Sequence, residues 1–332
     1  MPTVPKPDYT VELHTMMKSS GTRKSPGRTS TPPYTPLAGW ILARSGHLGI
    51  LQASALAKHK WLIHGFSTRM GGSSRLGEGL VLNLGETDWD RKKNVSDNRA
   101  LLLAALEARD WPLASLHQCH TDVIHGMSEP SPDPPRGDAL LTATPGLLLG
   151  VKTADCVPIL LVDAKRRAVA AIHAGWRGTL ARLAEKTLGR MRMEFGTTPE
   201  NVVAVLGPAI GLCCYEVGAE VAKAFAAQFD AAREWFQGPF EKIVSDDSPN
   251  PLRWLQMTPP GHDAPPPTVF LDLRAANRWQ ISNSGVPAAR IFVSDLCTAC
   301  RTDLLFSHRR EQGETGRMLA VIGIRPPARR SG

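Results

Sequence analysis

The sequence predicts one mixed α/β domain, and three observations predict it. Short segments rich in Val, Ile and Leu recur along the chain. Segments with apolar residues three and four apart appear at Val95–Glu107, Arg177–Phe195 and Glu216–Phe229. Finally, 42% of the 332 residues are hydrophobic, enough to bury a substantial core.

Residues 1–40 are rich in Pro, Ser, Thr and basic side chains with no sustained hydrophobic period. Such a segment cannot repay its ordering entropy, so it is expected to be disordered. From Trp40 the pattern becomes globular, which gives a single domain over 41–324 followed by a basic tail over 325–332. The net charge of +8 is concentrated in these two ends. A basic tail attracts polyanions without shaping a recognition surface, which argues against a specific nucleic-acid partner. No run approaches the roughly 18 apolar residues of a membrane span, and no export leader is evident. Six cysteines are too sparse for a disulfide framework. A cytoplasmic protein with reduced thiols and no membrane partner is expected, as a monomer or a homodimer.

Within the domain, Leu116–Val123 reads as a strand carrying His117 and His120, whose side chains would then point to opposite faces. The Pro-rich stretch Ser128–Gly137 reads as a surface excursion, and so does Ser245–Thr268 with its seven prolines. The most informative segment is LLLGVKTADCVPILLVDAKRRAVAAIHAGWRG, which reads as strand, loop, strand, tight turn at Asp163–Arg167, strand and helix. An antiparallel hairpin about that turn would place Cys156 opposite His173 or Ala174. Cys156 lies at a strand edge, where a thiolate can be reached, and Asp155 beside it could orient a ligand or act as a base. His173 ends its strand just before a helix, so the Gly175–Gly178 turn offers backbone N–H groups to an anion, with Arg177 available for a two-pronged grip. Cys297 and Cys300 have CxxC spacing, but no second CxxC accompanies them, so they are read as structural thiols.

These residues fall into a set of motifs: His64-Gly-Phe-Ser-Thr-Arg69-Met-Gly-Gly, Asn83-Leu-Gly, Gln118-Cys-His120, Gly137-Asp138-Ala, Thr153-Ala-Asp-Cys156, His173-Ala-Gly-Trp-Arg-Gly178, Gly207-Pro-Ala-Ile-Gly211 with Cys-Tyr-Glu, and Phe306-Ser-His-Arg-Arg310. From about Ile63 to Ile324 the chain resembles the laccase-domain, or polyphenol oxidoreductase-like, family, whose members include purine nucleoside phosphorylases and a peptidoglycan-editing factor. His308 departs from the aromatic residue usual at its position in the last motif.

The resemblance implies a four-layer α/β/β/α fold with mixed sheets, similar to that of YfiH-like proteins and the necrotizing-factor cysteine hydrolases. It implies His120, Cys156 and His173 as metal ligands and selects His120 over His117. One thiolate and two imidazoles form a zinc set with a fourth position open, the arrangement of a catalytic site. Copper is the second metal expected, because the same donors resemble an electron-transfer copper site. A multicopper oxidase would need clustered histidines, and the ten here include no His-x-His pair. The resemblance also places Arg69 at the mouth of the site and adds Asn83 to the substrate-binding set with Arg69, Gly175 and Arg177.

The activity implied is phosphorolysis of adenosine, inosine and methylthioadenosine with deamination of adenosine in the same site. Deamination would use zinc-acidified water at C6 of the purine, with Asp155 as proton carrier. Phosphorolysis would seat phosphate on Arg69, Arg177 and the Gly175–Gly178 turn. The alternatives are a Cys156–His173 amide hydrolase acting on peptidoglycan precursors and a copper-dependent polyphenol oxidase.

Overall fold

The computed structural model describes residues 38–245 and 268–327. The expectation of disorder over residues 1–40 therefore lies outside the described residues, apart from its last three positions, where Trp40 already opens a strand. Most of the Pro-rich run and of the basic tail lies outside them as well.

Two six-stranded mixed sheets form the centre. One runs Trp40–Ser45, Leu48–Ala53, Leu62–Ser67, Met318–Ile324, Leu148–Thr153, Leu113–Ala114; the other runs Ile291–Val293, Val202–Leu206, Val157–Asp163, Ala168–Ala174, Ala139–Thr142, Ile124–Gly126. The Val157–Asp163 strand shows why these runs are apolar without alternation. Its Ile159 and Leu161 pack towards the helices, while Leu160 and Val162 pack between the sheets, so both faces are buried. Leu149, Val151 and Ala320 of the first sheet meet them there. Outside the first sheet, Leu102 and Leu103 of the Lys92–Ala105 helix cover Ile50, Ile63 and Val321. Outside the second, Leu188 and Met191 of Leu183–Phe195 and Ile281 of Leu273–Asn283 cover Ile159 and Ala170. The result is the α/β/β/α layering that the resemblance implied.

Four local expectations are corrected. The hairpin forms about the expected turn, but it pairs Val157 with Ala174 and Pro158 with His173. Asp163 stays in the ladder opposite Ala168, and its Oδ1 accepts the N–H groups of Lys165 and Arg166 at 2.9 and 3.1 Å. The register is thereby displaced, and Cys156 lies just beyond the ladder beside Gly175.

Leu116–Val123 is a loop rather than a strand. The Oδ2 of Asp138 accepts the N–H of Cys119 at 3.3 Å and of Thr121 at 2.6 Å, which wraps the chain around the carboxylate with His120 at φ 59°. The predicted Arg177–Phe195 helix is two helices, Trp176–Leu180 and Leu183–Phe195, with Arg182 at φ 61° between them. Gln280 Nε2 donates to the Thr179 carbonyl at 2.7 Å, and the Arg182 N–H donates to it at 3.0 Å, so the bond that would continue the helix is replaced. Similarly, the helix expected from Glu216 starts at Ala219, because Glu216–Gly218 pairs as a strand with Thr268–Leu271.

Candidate metal centre and active site

His120, Cys156 and His173 converge from three segments: the Asp138-bound loop, the end of the Leu148–Thr153 connection, and the last turn of the Ala168–Ala174 strand. Their ligand atoms all lie within 4.8 Å of one another, with Cys156 Sγ 3.9 Å from His120 Nε2 and the imidazole centroids 4.9 Å apart. His173 is buried, Cys156 half-buried and His120 exposed, so the cluster is walled on one side and open on the other.

Asp138 orients the buried imidazole. Its Oδ1 accepts His173 Nδ1–H at 2.8 Å, and its carbonyl accepts the His173 backbone N–H at 2.8 Å. A carboxylate on Nδ1 leaves the Nε2 lone pair aimed at the cluster, the support that metal-bound histidines commonly have. The bonds from His173 and Thr121 hold the Asp138 carboxyl well below the usual carboxylate range, although burial opposes this. Burial by itself would raise a thiol and lower a histidine. Here the Cys156 thiol is instead held down at about 6, through the charge of His173 and the hydrogen bond from His120. His173 is raised to about 9 through the Cys156 thiolate and Asp138. Without a metal, the pair rests as thiolate and imidazolium.

A single ion fits this donor set. Tetrahedral zinc with bonds of about 2.3 Å to sulfur and 2.0–2.1 Å to nitrogen separates those atoms by about 3.6 Å, close to the spacing observed. The space is kept open by Gly175, where a Cβ would lie 3.0 Å from both Cys156 Sγ and His120 Cδ2.

The remaining predicted residues divide. Asp155 adjoins Cys156 but is fully engaged. Its Oδ1 accepts the hydroxyls of Thr298 at 2.5 Å and Ser307 at 2.7 Å, its Oδ2 accepts the Arg309 N–H at 2.6 Å, and its carbonyl accepts the Ile210 N–H at 2.9 Å. These four bonds hold a non-glycine residue at φ 94°, so Asp155 clamps the backbone ahead of Cys156. Asn83 is buried and spends its amide on Thr87, Asp90, Gly85 and Arg317, which leaves nothing for a substrate. Arg69 is held by Glu311 at 2.9 Å and the Thr302 carbonyl at 2.6 Å, lies over the Phe306 ring, and lines an open groove with His47, Met70 and Asp303. Glu311 in turn accepts the Ser307 N–H at 3.0 Å, so Arg69 supports the Asp155 clamp. The Gly175–Gly178 turn opens a helix of only five residues, too short for the strong dipole end expected there.

Arg177 is exposed and stacks on Trp176 at 4.5 Å. Beside it lies Tyr215, which sequence reasoning passed over: Arg309 sits over its ring at 5.4 Å, and burial together with the Cys156 thiolate pushes its phenol up, so the hydroxyl stays neutral. Asp138 stands in the Gly137-Asp138-Ala motif, whose residues do not by themselves announce a role. Only the strand pairing reveals its position, since Asp138 precedes Ala139, which pairs with Ile172 next to His173.

The family model described as multi-copper polyphenol oxidoreductase laccase matches residues 63–325. The chain belongs to this family. Among relatives of this laccase-domain chain, the protein named purine nucleoside phosphorylase from Deinococcus radiodurans is 38% identical over 278 residues, covering 83% of this chain and 93% of that protein. Adenosine deaminase RL5, from an unknown prokaryotic organism, is 40% identical over 186 residues, covering 56% of this chain and 61% of that protein. The crystal structure of YlmD from Geobacillus stearothermophilus matches with a TM-score of 0.70 at 31% identity, covering 86% of this chain and all of that one. No helix among the described residues of the laccase-domain fold is long and apolar enough to cross a membrane.

Proposed function

We propose that the chain is a zinc-dependent purine nucleoside phosphorylase that also deaminates adenosine, with adenosine, inosine and methylthioadenosine as substrates. It would act in the cytoplasm as a monomer or homodimer, on small molecules alone. The observation that carries this reading is the His120, Cys156 and His173 donor set, oriented by Asp138 and open on the His120 side. The names of the relatives supply the substrate class.

His120, Cys156 and His173 would hold the zinc, which would supply Lewis-acid chemistry and acidify water. The protein's own groups do the rest. Asp138 fixes the His173 ring, and Gly175 leaves the room the donors need. Arg177 and Arg309 flank Tyr215 and give an incoming phosphate its cationic partners in place of Arg69, while the neutral Tyr215 hydroxyl can donate to a purine nitrogen or a ribose oxygen. In phosphorolysis a phosphate oxygen bonds to C1′ as the bond to the base breaks, and the base leaves with a proton.

The test is product analysis of adenosine incubated with and without inorganic phosphate. Adenine and ribose 1-phosphate form only with phosphate, and inosine forms without it. Absence of all three products contradicts the reading. One observation favours a second reading: without metal, Cys156, His173 and Asp138 stand as the thiolate, imidazolium and orienting carboxylate of a cysteine hydrolase, able to cleave an amide in a peptidoglycan precursor. Activity that survives chelation identifies that chemistry. Copper on the same donors, with polyphenol oxidation, is distinguished by elemental analysis.

A further inference from the structure

The CxxC at Cys297 and Cys300 has no partner nearby in sequence, but the fold supplies one. Ala209 bridges to Cys297, and the Thr298 N–H donates to the Ala209 carbonyl at 3.1 Å, so the loop carrying Cys213 and Cys214 runs alongside. The four sulfurs lie within 4.8 Å of one another, with Cys300 Sγ 3.6 Å from Cys213 Sγ and 3.4 Å from Cys214 Sγ. Tetrahedral zinc with bonds of about 2.3 Å separates its sulfurs by about 3.8 Å. The thiols are therefore spaced as ligands of one ion.

We propose that Cys213, Cys214, Cys297 and Cys300 hold a second zinc ion, in a closed four-thiolate set that is structural and separate from the His120, Cys156 and His173 centre. Binding releases four thiol protons to water and involves no change of oxidation state. The complex carries a charge of −2, and the surroundings are built for it. The Gly211 N–H donates to Cys297 Sγ at 3.2 Å, and a Cβ on Gly211 would lie 2.9 Å from the Arg274 guanidinium and 3.3 Å from Cys213 Sγ, which sets a cation beside the cluster.

The two loops this ion joins are those that hold the clamp ahead of Cys156. Thr298 bonds the Asp155 carboxylate, Ile210 bonds its carbonyl, and Tyr215 follows Cys214 directly. The cluster thus fixes the backbone behind one wall of the active site without touching substrate.

The test uses a His120→Ala variant, purified under reducing, anaerobic conditions, so that only the second ion remains. Elemental analysis is expected to give one zinc per chain, and X-ray absorption at the zinc edge is expected to show sulfur ligands alone at about 2.3 Å. Adding Cys213→Ser and Cys300→Ser is expected to remove that equivalent and lower the melting temperature. The unaltered protein, which does not depend on those variants folding, is expected to hold two equivalents. No zinc in His120→Ala, zinc with nitrogen or oxygen ligands, iron in its place, or these cysteines found as disulfides by mass spectrometry overturns the proposal.

Discussion

Asp138 shows how much one carboxylate can organise. One oxygen holds the His173 ring, and the other gathers the loop that presents His120. Asp138→Asn is expected to weaken zinc binding roughly 10- to 100-fold, the usual cost of removing such a partner, as read by competition titration. In the metal-free protein, alkylation of Cys156 by iodoacetamide is expected to rise through a midpoint near pH 6, well below that of an ordinary thiol, because His173 stabilises the thiolate. Asp138→Asn weakens that imidazolium, so the midpoint is expected to move up. Gly175 tests space rather than charge. Its φ of −78° suits alanine, yet the added methyl would press on Cys156 and His120 at 3.0 Å. Gly175→Ala is expected to fold and to bind zinc roughly tenfold more weakly, since displaced ligands lose geometry. That His120, Cys156 and His173 come together was legible in the sequence through their motifs. The roles of Asp155, Asn83 and Arg69 were not, because a motif names a residue without saying which of its atoms are already bonded.

Among the elements, the Leu62–Ser67 strand carries the first motif, and its histidine proves structural. His64 is buried, and its Nε2 accepts the Ala53 N–H at 3.1 Å. Burial holds it down at about 4, against an ordinary value of 6.5. The folded state therefore binds the proton less readily than the unfolded chain. The resulting stability is complete above about pH 6.5 and is lost progressively as the pH falls to about 4, a total of about 3 kcal/mol. Denaturation midpoints measured across that range are expected to fall with pH, and His64→Gln is expected to flatten the dependence. The hairpin was legible because Val157–Asp163 and Ala168–Ala174 are continuous apolar runs around a polar turn. The loop at His120 and the helix break at Arg182 were not. Each is imposed by a distant side chain, Asp138 in one case and Gln280 in the other, and local periodicity carries no record of either.

At the scale of the molecule, two sheets back to back form a rigid support, and the candidate site lies where strands end, with His120 and Cys156 on loops and His173 near the end of a strand. This division lets the loops depart from regular geometry at His120 and Asp155 while the layers carry the stability. The layering followed from the family resemblance; neither sheet order could be read from the strands themselves, since pairing depends on contacts between segments far apart. One metal ion held by His120, Cys156 and His173 is the centre of the proposed activity. The direct measurement is zinc content and adenosine conversion of the unaltered protein beside His120→Ala, a substitution at an exposed loop position that the fold should tolerate. The variant is expected to lose one zinc equivalent and its conversion of adenosine to adenine and inosine while still melting cooperatively, at a temperature lowered only by the loss of that ion. Full activity in His120→Ala, or in protein stripped of metal, would contradict it.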